Sequence, residues 1–137
     1  IVVAGHQQVT RDWWATAEER FEIVISAFVL REASAGDTQA AAERLAVLKQ
    51  LTVLTTTSEA LALGKKLVDD GAIPANVPED ALHLAVAASS GVDYLVTWNF
   101  RHRANATMRR KIAECCREAG FVSSIVCTPE ELFVNGL

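Results

Sequence analysis

From Ala81 to Ser90 the chain runs ten residues without a charge, A-L-H-L-A-V-A-A-S-S. That run limits what can be built around it. Pro78 suits the first turn of a helix, where its missing N–H costs nothing. Glu79 and Asp80 follow, where the helix dipole favours negative charge. A helix that is small and uncharged on every side is one that buries itself, here against a sheet. Gly91 closes it. Val92 to Thr97 then reads as a short apolar strand with Asp93 at its entry. Thr97-Trp98-Asn99 leaves that strand's carboxyl end, where sites of open α/β sheets lie. Asp80 therefore opens a buried helix, and Asn99 sits just past the strand expected to pack beside it.

The remaining chain alternates in the same way. Val2 to Arg20 reads as helix, with Thr10 or Asp12 able to cap or interrupt it, and at least one of Trp13 and Trp14 as core. Phe21 to Ile25 is rich in β-branched residues and reads as a strand. Ser26 is a candidate cap for the helix A-F-V-L-R-E-A-S-A-G, which ends at Gly36. Asp37 caps the next, where Ala41, Leu45, Leu48 and Leu51 recur at helical spacing. Thr52 to Thr56 is a strand, and Ser58 caps a helix closed by Gly71. Ala104 to Ala119 is a longer helix ending at Gly120, Val122 to Cys127 a last apolar strand, and Thr128-Pro129-Glu130-Glu131 the start of a final turn. Four strands alternating with helices predict an α/β fold with a mainly parallel sheet flanked by helices. No repeat or linker divides the 137 residues, so one domain is expected over 1–137.

Composition narrows the function classes. Half the residues are hydrophobic and 22% are charged, which excludes global disorder. A net charge of −4 argues against a strongly basic nucleic-acid binder but leaves room for a local basic patch. No apolar run reaches transmembrane length, and no signal peptide is recognisable, so no membrane role is expected. Cys115 and Cys116 are adjacent, which disfavours a bond between them. With Cys127 they are expected as buried small hydrophobes, reduced, in a cytoplasmic protein.

Few residues can carry chemistry. Glu32 shares a helix face with the apolar Phe28 and Val29, whereas a solvated glutamate takes the opposite face. Asp80 can be no more than an acid at a helix start. Asn99 can be a turn residue and Thr97 a strand-end hydroxyl. Arg101, His102 and Arg103 follow Asn99 directly, and arginine forks suit phosphate oxygens. Arg109, Arg110 and Lys111 come later, on what reads as a solvated helix face. His83, one turn after Asp80, reads as a hydrogen-bonded core histidine.

Taken together, the strand leading into S-A-F-V-L-R-E-A-S-A-G-D, the block D-A-L-H-L-A-V-A-A-S-S-G-V-D-Y-L-V-T-W-N-F and the closing T-P-E-E-L resemble a PIN domain. The chain is most similar to the VapC-like ribonuclease toxins of bacterial type II toxin–antitoxin pairs, and the likeness runs from Phe21 to Leu132. It implies a three-layer sandwich and a metal-dependent endoribonuclease that holds Mg²⁺ or Mn²⁺. By match to the motif, Glu32 and Asp80 take the places of metal-binding acids, and Asn99 falls where many members carry a further aspartate. Thr97 corresponds to the hydroxyl residue often found beside it, and with Arg101, His102 and Arg103 it would face RNA. The likeness also implies a homodimer and an antitoxin partner in the cytoplasm.

The family's central first strand ends in an aspartate. Nothing in this sequence reads as a strand ahead of the first helix, and Asp12 beside two tryptophans is a poor replacement. The chain is accordingly expected to be N-terminally incomplete, with two open sheet edges, weak metal affinity and little or no nuclease activity. The competing expectation is a non-catalytic PIN-like module that binds RNA or protein. An unrelated doubly wound binding domain fits less well, because no G-x-G-x-x-G loop is present.

Overall fold

A computed structural model describes residues 2–4, 11–26, 36–48, 51–97 and 106–127. Within these, five strands alternate with helices: β1 (Val2–Ala4), α1 (Arg11–Arg20), β2 (Val24–Ser26), α2 (Thr38–Leu48), β3 (Thr52–Leu54), α3 (Ser58–Asp69), α4 (Pro78–Ser89), β4 (Tyr94–Thr97), α5 (Ala106–Glu118) and β5 (Ile125–Cys127). The strands form one sheet in the order β3-β2-β1-β4-β5, and every pairing is parallel. The α/β class and the parallel sheet are thus as the sequence predicts.

The start of the chain is not. Val2–Ala4 is a strand rather than the beginning of a helix, and it is the middle strand of the sheet. Val2 is paired with Val24 on one side, and Val2, Val3 and Ala4 with Leu95, Val96 and Thr97 on the other. The expectations of no strand before the first helix, of four strands and of an opened sheet centre are therefore overturned. A four-residue apolar run is too short for periodicity to separate helix from strand. Partners on both sides decided the matter, and α1 starts only at Arg11.

Two caps show how local chemistry sets helix starts. Asp37 accepts the Ala40 N–H at 3.0 Å, as expected of an N-cap. At α3 the cap is Thr57 rather than Ser58: Thr57 is extended, and its hydroxyl oxygen accepts the Ala60 N–H at 3.1 Å. Pro78 opens α4 as the sequence predicts, behind a Val77 that offers no side-chain cap. Gly91 ends the excursion with φ +72°, while the Val92 N–H reaches back to the Ala87 carbonyl at 3.0 Å. A side chain there would meet the left-handed penalty that glycine avoids.

The core lies around α4. Leu84, Ala85 and Ala87 are fully buried, in one cluster with Leu63 and Leu67 of α3, Leu95 of β4 and Ile112 of α5. Val96, the next residue along β4, belongs to a second cluster with Ala17 of α1 and Cys127 of β5. Successive strand residues face opposite sides, so both faces of β4 are covered. Each fully buried leucine contributes roughly 1.5–3 kcal/mol.

Helices α3 and α4 meet through small residues. A methyl added to Gly64 would lie 3.7 Å from the Ala85 Cβ and 3.8 Å from the Ala81 carbonyl oxygen, both ordinary contacts. Glycine inside a helix is disfavoured against alanine by about 0.5–1 kcal/mol. Gly64→Ala is therefore expected to stabilise the protein by about that amount in urea unfolding. A loss of stability would mean that the helices cannot absorb even this contact.

Between α3 and α5, Lys66 bridges Asp70 at 2.7 Å and Glu118 at 3.7 Å. The hydrogen bond from Lys66 holds the Asp70 carboxyl below its ordinary range. The Cys115 thiol donates to the same carboxylate at 3.6 Å. Burial, then the Asp70 charge, push that thiol up to about 11. All three cysteines are free and buried, in keeping with the reading as small hydrophobes. Their positions serve packing rather than thiol reactivity.

Candidate functional site

Three neighbouring strands of the sheet end in Ser26 (β2), Ala4 (β1) and Thr97 (β4). Because all pairings are parallel, these ends share one edge, the carboxyl edge where α/β folds place their sites. Ala4 is the register partner of Thr97.

Two helices return to the opposite, amino edge. The C-terminal turn of α4 and the connection that follows α5 line a cavity of ≈ 510 Å³ there, with Ala88, Ser89 and Gly91 on one side and Gly120 and Phe121 on the other. Each helix packs on the sheet through the cluster that holds Leu95. At 1.5 Å per residue their 12 and 13 residues span about 18 and 20 Å, so both N-termini lie toward the carboxyl edge. Asp80, the third residue of α4, is carried to that side and is half-buried. Its backbone N–H donates to the Val77 carbonyl at 3.1 Å, fixing the first turn.

The sequence-predicted residues divide cleanly. Asp80 is in the first turn of α4 as expected, and Thr97 is the last residue of β4. Glu32, Asn99, Arg101, His102 and Arg103 lie outside the described residues, as do the side chains of Thr97, Trp13 and Trp14. In sequence, Asn99 is two residues past Thr97, and Glu32 six past Ser26. Among the described residues, no group of three His, Cys, Asp or Glu side chains is placed to hold a metal ion.

His83 is buried at 8% exposure, one turn into α4 from Asp80, which fits its reading as a core histidine. Ser26 is a residue that the sequence reading treated only as a helix cap. It is the buried end of β2 at the carboxyl edge, 1% exposed. The signal for it was its place after the run I-V-I, where a strand that passes beside the centre of the sheet must end.

No family model matches the chain, and no curated protein or solved structure matches it either. What can be said of chemistry comes from the residues themselves. Among the described residues, Asp80 is the sequence-predicted acid carried toward the carboxyl edge. The amino edge offers a groove flanked by the exposed apolar side chains of Val122 and Ile125. No helix among the described residues is long and apolar enough to cross a membrane.

Proposed function

We propose that the protein is a PIN-like, metal-dependent endoribonuclease, the toxin of a toxin–antitoxin pair. The observation that carries this reading is the position of Asp80. It opens a helix that is buried at Ala81 and from His83 to Ala88, and its turn lies toward the edge where β1 and β4 end side by side. Burial of Leu95 and Val96 in two different clusters supports the three-layer arrangement of that family.

The donor chemistry fits a hard divalent ion. Asp80 and Glu32 supply carboxylate oxygens, Asn99 an amide oxygen and Thr97 a hydroxyl, a set that suits Mg²⁺ or Mn²⁺ rather than a thiolate-loving metal. When bound, such an ion neutralises phosphate charge and lowers the pKa of water. The chain's own part is separate. Asp80 and Glu32 would hold the ion, directly or through water, and Asn99 and Thr97 would orient a water or a phosphate oxygen. Arg101 and Arg103 grip the RNA backbone beside them, and His102 is placed by sequence to exchange a proton near neutral pH. A homodimer, an antitoxin laid over the acidic edge and a cytoplasmic location complete the proposal.

A second reading is a non-catalytic PIN-like module that binds RNA or protein. One observation favours it: β1, the middle strand, runs into Gly5-His6-Gln7-Gln8, and no carboxylate precedes Asp12. Asn99 in place of an aspartate points the same way.

Calorimetric titration with Mn²⁺, followed by cleavage of single-stranded RNA with and without a chelator, separates the two. Saturable binding, weak for want of a third acid, together with chelator-sensitive cleavage supports the nuclease. RNA binding with neither metal uptake nor cleavage selects the module.

A further inference from the structure

Helix α5 begins with cations where its own dipole favours acids. Arg109, Arg110 and Lys111 fall in its first two turns, which contain no acid, while Glu114, Arg117 and Glu118 come later. The helix dipole favours acids at the start and cations at the end. Arg110 does pair with Glu114 at 3.3 Å, but the cation precedes the acid, the weaker order for an i,i+4 pair, and the arginine side chain stays 82% exposed. Lys111 is exposed and forms no ion pair among the described residues. In a chain of net charge −4, three consecutive exposed cations in the first two turns of a helix concentrate positive charge at its positive end.

The run also has an address. The far end of α5 is fixed at the amino edge by Gly120 and Phe121, so its first turns lie toward the carboxyl edge that holds Asp80 and the end of β4. Arg101 and Arg103 sit on the chain between β4 and α5. We infer that the first two turns of α5 form a phosphate track, in which Arg109, Arg110 and Lys111 bind the backbone of single-stranded RNA and lead it to the carboxyl edge. The choice of RNA rests on the nuclease reading. The track goes beyond that reading by assigning substrate contact to a helix face that the sequence alone marks as solvated.

The test reads counterion release, which reports phosphate contacts irrespective of cleavage. Binding of a fluorescent single-stranded RNA is measured without divalent metal, from 50 to 300 mM salt, for the wild type and three variants. Single-strand contacts contribute about 0.7 each to the slope of log affinity against log salt. Arg109→Gln/Arg110→Gln/Lys111→Gln should flatten the slope by about 2, and Arg110→Gln/Lys111→Gln by about 1.4. Glutamine keeps the helix propensity, and the double variant leaves Arg109 in place should that residue matter for folding. Lys65→Gln/Arg117→Gln removes the same charge as the double variant from exposed sites away from the track, and should leave the slope unchanged. Equal flattening by both doubles would show a net-charge effect and overturn the track. So would an unchanged slope in the α5 variants, even if binding of an acidic peptide were weakened. If the wild type binds RNA but the slope ignores α5, the track alone fails. If it binds no RNA at all, the track fails together with the nuclease reading.

Discussion

Asp80→Asn is expected to weaken Mn²⁺ binding at least about tenfold while changing the stability of the metal-free protein by less than about 1 kcal/mol. The two halves of this result separate the two accounts of the residue. As an acid at the start of α4, Asp80 contributes a dipole interaction of about 0.3–1 kcal/mol, the scale of loss expected with asparagine. As a metal ligand it contributes a negative charge that asparagine cannot replace, although the shape is kept. Calorimetry for the ion and urea unfolding for the fold read the two effects independently. Unchanged Mn²⁺ affinity in the variant would reduce Asp80 to a helix-start acid and move the reading to the binding module. Glu32→Gln makes a useful companion, because the same loss there would tie both carboxylates to one ion.

The largest effect on the fold should come from Leu84→Ala. Leu84 is fully buried at the middle of α4, among side chains from α3, β4 and α5. Removing its branched end costs transfer energy and leaves a cavity, about 2–5 kcal/mol for a leucine in such a place. A value near the middle of the range, about 3 kcal/mol, is expected in urea, or a fall of on the order of 10 °C in Tm for a domain of this size. A cost below about 1 kcal/mol would mean that the core relaxes into the gap and is looser than its burial implies.

How far the sequence could be read depended on the length of the signal. The run from Pro78 to Thr97 was legible nearly residue by residue, because proline, acids, an uncharged stretch and a glycine stop all agree there. Asp37 announced itself as a cap, whereas Thr57 and Ser58 are chemically equivalent neighbours that only backbone geometry tells apart. Val2–Ala4 was misread because its identity as a strand comes from β2 and β4, twenty and ninety residues further on by sequence. The site was legible only at Asp80, whose helix start is a local feature. The cations at the start of α5 were present in the sequence, but the edge they lie toward needed the helix direction that the cavity at the amino edge supplies. Glu32, Asn99 and Arg101 to Arg103 remain readings of sequence, since they fall outside the described residues.

The close approach of α3 and α4 through Gly64, Ala81 and Ala85 has a kinetic consequence. These two helices share the most extensive contact of any pair of elements described, and they are joined by a short connection. The sheet needs pairings between distant parts of the chain, which are slow to close, whereas the helix pair needs almost none. The α3–α4 hairpin should therefore form early, and Asp80 would then be carried by the part of the molecule that is first in place and last to open. Native-state hydrogen exchange can check this. Amides from Leu84 to Ala88 should exchange only through global unfolding, and faster exchange there than in β4 and β5 would reverse the order. On this view the candidate acid is set in position before the strands whose ends it must serve have been assembled.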